Sequence, residues 1–381
     1  MPYRSVDQLQ KVLTEKVFHY AKDSKKAAGR ALGTLVEIIT FYALKSWKLE
    51  HNIAIERPLP EFLNKEITHN VEYSLHPSIP IRSCEFNTRD LPITARKIIK
   101  TSRIGCPEDL IKNNVLLTKE NILRNSCTIC DRDISFLNVY LDDISRDKGH
   151  YSIHEMYQQP FAIFECKRVG IEEGMSKGPQ TIEKAKQGAY VARSVSALQK
   201  IRLRDGSIGG VIQKRDNSFI YDDYYKLLVK IIASNDPELL SHFIMTVGVV
   251  SNHGNWFTSQ NHNKELKVLA QSYDWLLFLT DEGIAQFVEE ILLNPVNEVS
   301  AARDAFIKSY TGEKGVNRFT KVQIALDADH ALQNFFESNL STIESWFNII
   351  SPVGRNLELL RTDLNILSRK NWKVIHNDRR T

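Results

Sequence analysis

Residues 160–170 read PFAIFECKRVG. Phe161 to Glu165 is a short apolar run that predicts a buried β-strand. It ends in a carboxylate and an ammonium two positions apart, Glu165 and Lys167. Side chains alternate along a strand, so Ile163, Glu165 and Lys167 share one face and Ala162, Phe164 and Cys166 the other. The second face is apolar and suits packing against a helix. The first sets an acid and a base side by side at a strand end. Metal-dependent phosphodiester cleavage requires such a pair. The acid holds a divalent cation that polarises phosphate and activates water. The lysine orients or deprotonates that water, or steadies the charge that builds on phosphate.

A second acid is needed, because Mg²⁺ takes carboxylate oxygens along with waters and a substrate phosphate. The preceding strand is expected to be an antiparallel neighbour, in DRDISFLNVYLDD (131–143). In such a ladder the residue opposite the end of the later strand lies at the start of the earlier one. That reasoning selects Asp133 to face Glu165. Asp142 and Asp143 then sit at the far end, although sequence distance alone favours them. ISRDKGHYSIHEMYQQ (144–159) becomes a long insertion at the hairpin tip.

The rest of the chain falls into zones. Residues 1–80 read as mainly helical, with Leu32, Leu35, Val36, Ile39, Tyr42 and Ala43 at helical spacing. NIAIER then predicts a short strand. Residues 81–130 are less regular and hold Cys84, Cys106, Cys127 and Cys130. Residues 131–285 alternate strands and helices, with a helix from about Thr181 to Arg202 and strands in FIMTVGVV and WLLFL. From about Val299 the chain is helical and amphipathic. The expected division is a core over 1–298, with N-terminal helical and cysteine-containing segments, and a helical C-terminal region over 299–381.

Asp133, a strand, a loop and then Glu165-Cys166-Lys167 resemble the PD-(D/E)xK nuclease signature, with Arg132 where proline is frequent. The resemblance implies an α/β fold with a restriction-endonuclease-like core: a mixed central β-sheet flanked by helices, with N- and C-terminal helical additions. It implies a carboxylate on the first core helix, matched by Glu37. It also implies a polar residue on the helix after the catalytic strand, matched by Gln187. Asp133, Glu165 and Glu37 are then the metal-site candidates, and Asp133, Glu165, Lys167 and Gln187 the catalytic ones. The implied cofactor is Mg²⁺, with Mn²⁺ as substitute. A 381-residue chain with helical additions and no ATPase motif is most similar to type II restriction endonucleases. The expected activity is site-specific cleavage of double-stranded DNA by a cytoplasmic homodimer. A repair or phage-defence nuclease without strict sequence specificity is the alternative. An inactive DNA-binding protein of the same fold is the reading from another class.

CTIC sets Cys127 and Cys130 at zinc-knuckle spacing, and Cys84 and Cys106 complete a candidate structural Zn²⁺ site. No second C-x-x-C supports it, and such pairs also occur as small buried residues. Five cysteines in a chain whose opening MPYRSVDQLQ predicts no secretion signal point to a reducing cytosol. No apolar run is read as long enough to span a bilayer. A net charge of +4 is too mild to prove a polyanion partner. G-x-x-x-x-G-K-[ST], G-x-S-x-G and H-E-x-x-H are all absent, which removes the phosphate-loop nucleotide site, the serine hydrolase and the zincin. His253 and His262 stand in polar stretches suited to hydrogen bonding with bases.

Overall fold

The apolar run ahead of Glu165 forms a strand, Ala162–Val169, inside a six-stranded mixed sheet. A computed structural model describes residues 6–19, 23–105, 109–169, 179–252, 264–311 and 317–377. His253, His262 and Cys106 lie outside the described residues. The chain is a mixed α/β protein, with several small antiparallel sheets and about 13 helices beside the main sheet.

Two compact units divide it, and each gathers three stretches of chain. The first comprises Met1–Ile55, Ser78–Gln158 and Thr280–Trp346. The second comprises Glu56–Pro77, Gln159–Leu279 and Phe347–Thr381. The stretch after Val299 is thus shared between the two units.

In the first unit, strands Ser78–Asn87, Lys148–Tyr157, Ser135–Ile144 and Cys127–Asp131 lie in that order in an antiparallel sheet. Here the expected topology is corrected. The stretch read as an insertion at a hairpin tip contains a strand, Lys148–Tyr157. It pairs with Ser135–Ile144 through a tight turn closed by Ser145 N donating to Lys148 O at 2.7 Å. Ser152, His154 and Glu155 interrupt its apolar residues and hide the alternation, yet Tyr151, Ile153 and Met156 are buried. The strand after Asp133 therefore does not pair with the Glu165 strand.

Helix Ser24–Ser46 also belongs to the first unit. Its segment Ala27–Ser46 is 20 residues long and holds an 18-residue window of mean hydropathy 1.3, the length and apolarity of a membrane span, contrary to the expectation from sequence. Of this window 67% is buried. The Tyr42 hydroxyl donates to Asp329 Oδ1 at 2.6 Å inside the unit. A core helix that packs on several sides satisfies the same composition.

In the second unit five strands of the main sheet follow one another: Tyr73–Leu75, Ala162–Val169, Met245–Asn252, Trp275–Leu279 and Phe347–Ser351. The Glu165 strand pairs parallel with Met245–Asn252 and antiparallel with Tyr73–Leu75. Met245–Asn252 pairs parallel with Trp275–Leu279. Parallel strands need crossovers that cover the sheet. Helices Pro179–Ser194 and Lys264–Ser272 serve that role, and Ala189, Ala192 and Leu269 pack with Val250, Leu276 and Phe278. The helix expected to run to Arg202 stops at Ser194. Ser194 Oγ bonds back to Tyr190 O at 2.7 Å, and Ser196 Oγ accepts from Ile244 N at 3.1 Å. The Ser196 bond ties the chain after Ser194 to a distant backbone N–H instead of another helical turn. Gln199–Arg202 continues as a strand.

Candidate active site

Glu165 sits one residue beyond the register pair Phe164–Tyr73. The next pair outward brings Glu72 against it. Glu72 N donates to Glu165 Oε1 at 3.4 Å. Lys167, on the same strand face as Glu165, places Nζ 3.0 Å from Glu165 Oε2 and 3.7 Å from Glu72 Oε2. Two carboxylates from antiparallel neighbours and one ammonium thus meet within strand Ala162–Val169, not at its end as expected, just past the short ladder with Tyr73–Leu75. The ladder rule that singled out Asp133 does supply a second acid, but from the strand Tyr73–Leu75.

Glu165 is 3% exposed. Burial raises its pKa above the ordinary carboxylate value, against the opposing pull of Lys167 and, more weakly, His69. The pocket wall is built for closeness. Gly248 is the parallel register partner of Glu165, and the Tyr273 ring lies flat against it. A β-carbon on Gly248 would stand 2.8 Å from two ring carbons. The Tyr273 hydroxyl reaches Gly188 on helix Pro179–Ser194, where a β-carbon would stand 2.7 Å from it and 3.6 Å from Glu165 Oε2. Burial, then the charge of Glu165, pushes the Tyr273 phenol well up, so it faces the carboxylate as a neutral group.

Gly248→Ala is expected to destabilise the protein by about 1–3 kcal/mol, the usual penalty of overpacking. The fully buried ring has no space to retreat. Urea denaturation of the variant against the native chain measures this. An unchanged midpoint would show that the ring shifts freely.

A second polar group adjoins the first. The hairpin of strands Pro58–Glu61 and Asn64–Asn70 carries Glu61 and His69, with His69 Nε2 2.9 Å from Glu61 Oε1. Tyr190 hydrogen-bonds the same carboxylate. The bond from His69, followed by that from Tyr190, holds Glu61 below the usual carboxylate range.

The remaining sequence candidates lie elsewhere. Asp133 is exposed in the turn between Cys127–Asp131 and Ser135–Ile144 of the first unit. Asp142 accepts from Ser152 Oγ at 2.7 Å and Asp143 pairs with His150 at 2.8 Å, both on that same antiparallel sheet. Glu37 forms an ion pair with Lys321 at 3.4 Å within the first unit. Gln187 is exposed on the covering helix, one residue before Gly188. The four-thiolate zinc site is not formed, because Cys130 is disulfide-bonded. Cys84 and Cys127 are free thiols, and burial pushes Cys127 up to about 12.

The donor set at Glu72 and Glu165 fits a hard cation. A buried carboxylate is costly unless its charge is met, and Lys167 meets only part of it. Among the described residues no three His, Cys, Asp or Glu side chains gather closely enough to hold an ion. Mg²⁺ suits two carboxylates because it keeps waters and takes substrate phosphate as further ligands.

Glu72, Glu61 and His69 escaped the sequence reading. Their sole local sign is an acid immediately before a three-residue strand and an acid and a histidine on a polar hairpin. Comparison with protein-family models, with curated proteins and with solved structures finds no match for this chain.

Proposed function

We propose that the protein is a divalent-metal-dependent DNA endonuclease. The observation that carries this reading is the meeting of Glu72, Glu165 and Lys167 just past the short Tyr73–Leu75 ladder, with Glu165 buried. A bound Mg²⁺ supplies Lewis acidity toward phosphate and a more acidic water. Glu72 and Glu165 are the residues that would hold it. Lys167, anchored by both, sets its ammonium where it orients the water and offsets charge developing on phosphate. Tyr273, a neutral wall beside Glu165, limits water access to the buried carboxylate.

The more specific form of the proposal is a type II restriction endonuclease that cuts double-stranded DNA as a cytoplasmic homodimer. Support for it is Glu165-Cys166-Lys167 with Glu72 in the place expected of Asp133, together with the helical additions around it. Purified protein incubated with supercoiled plasmid and Mg²⁺ tests both levels. Discrete fragments are the expected result, with no cleavage in EDTA. A smear would replace site specificity with the repair or defence nuclease. Intact plasmid, from a folded protein at any divalent metal, would overturn the nuclease reading.

A further inference from the structure

Hydrolysis of a phosphodiester expels an alkoxide, which departs readily only if it is protonated as the bond breaks. Glu72 and Glu165 form the metal site of the proposed nuclease, and Lys167 is engaged with both. None of the three is a free proton donor for the leaving oxygen, and His69 is the imidazole nearest to them on the same hairpin and helix framework. Its register partner Leu59 is buried in one cluster with Val71, Ile163 and Val191. Ile163 lies two residues before Glu165 on the same strand face, and Val191 lies on the covering helix, three residues after Gly188. The hairpin thus turns the His69 side toward the helix and strand face that frame the carboxylates.

The imidazole is also held as a proton donor must be. Glu61 Oε1 engages Nε2 at 2.9 Å, which fixes the plane of the ring. The Tyr190 ring stands edge-on to it, with centroids 5.7 Å apart at 73°, and the Tyr190 hydroxyl binds the same carboxylate. The Glu61 contact leaves Nδ1 as the ring nitrogen not turned to that carboxylate. Its side chain is 22% exposed, open enough for a phosphodiester to reach.

Building on the nuclease reading, we propose that His69, oriented by Glu61 and Tyr190, is the general acid that protonates the leaving oxygen. As the attacking water oxygen bonds to phosphorus, the bond from phosphorus to the ester oxygen breaks. The Nδ1 proton passes to that oxygen, which leaves as a hydroxyl. The attacking water gives its own proton to solvent, and the neutral imidazole regains one from solvent.

The test compares two duplex oligonucleotides. One is ordinary DNA spanning a mapped cut position. The other carries sulfur in place of the leaving oxygen, and a thiolate leaves without a proton. With Mg²⁺, His69→Ala and His69→Asn are expected to lose about 10²–10⁴-fold in cleavage of the oxygen substrate and to recover most of it on the sulfur one. Glu61→Gln should show the same pattern, more weakly. His69→Asn keeps a hydrogen-bonding group toward Glu61, so at least one variant should fold as the native chain does, checked by circular dichroism. Equal loss on both substrates, or no loss on either, overturns the assignment. If Glu165→Gln silences both substrates while the His69 variants silence neither, the nuclease reading stands and this one falls. A native chain that cuts no DNA removes both.

Discussion

Glu72→Ala is expected to lose metal-dependent DNA cleavage by about three orders of magnitude, while Asp133→Ala keeps most of it. The reasoning rests on which strand lies beside Glu165. Tyr73–Leu75 is its antiparallel neighbour, and Glu72 is the first residue beyond that short ladder. Removing its carboxylate leaves one acid to hold the cation and takes away one of two anchors of Lys167. Glu165→Ala and Lys167→Ala should fall as far. Asp133 stands exposed in a turn before a strand that pairs with Lys148–Tyr157, and Glu37 serves Lys321. Their alanine variants, and that of exposed Gln187, should stay within several-fold of the native rate. Initial rates on plasmid with saturating Mg²⁺ decide the matter. An inactive Asp133→Ala beside a fully active Glu72→Ala would overturn the assignment of Glu72 as the second carboxylate.

Glu165→Gln should abolish cleavage and at the same time raise the melting temperature of the metal-free protein at pH 8 by a few degrees. Burial is the main influence on Glu165 and it acts against the charged form. A carboxyl whose folded pKa is raised contributes its full stability below the unfolded pKa of about 4.3. That stability is lost as pH rises through the folded value. Glutamine has the same shape and no charge to bury. The gap between variant and native chain should therefore be widest at pH 8 and close as the pH falls toward 4. Lys167 keeps Glu72 as a partner in the variant, which limits the loss on that side. Mg²⁺ should reverse the order: it stabilises the native chain by mass action and leaves Glu165→Gln nearly unchanged. Thermal melts at several pH values, with and without Mg²⁺, measure all of this. A variant less stable than the native chain at pH 8 would show that the Lys167 ion pair outweighs the cost of burial.

The alternation in PFAIFECKRVG is enough by itself to specify a buried strand with Glu165 and Lys167 on one face. A run apolar on both sides needs cover on both sides, and a two-residue period leaves acid and base no other arrangement. The apolar stripes of Ser24–Ser46 and of the helix after the strand were legible for the same reason, since local periodicity records which faces avoid water. What the sequence could not determine was the neighbour. Strand partners are chosen by long-range packing, and Tyr73–Leu75, three residues long, is too short to carry a period of its own. Glu72 lies 93 positions before Glu165, across a separate antiparallel sheet in the chain. The polar strand Lys148–Tyr157 removed Asp133 from the ladder because its hydrogen bonds to Ser135–Ile144 satisfy a backbone that its side chains do not advertise. Glu61, His69 and Tyr190 meet only because the hairpin and the covering helix fold over one sheet face, and a hydrogen bond between distant side chains leaves no spacing to read.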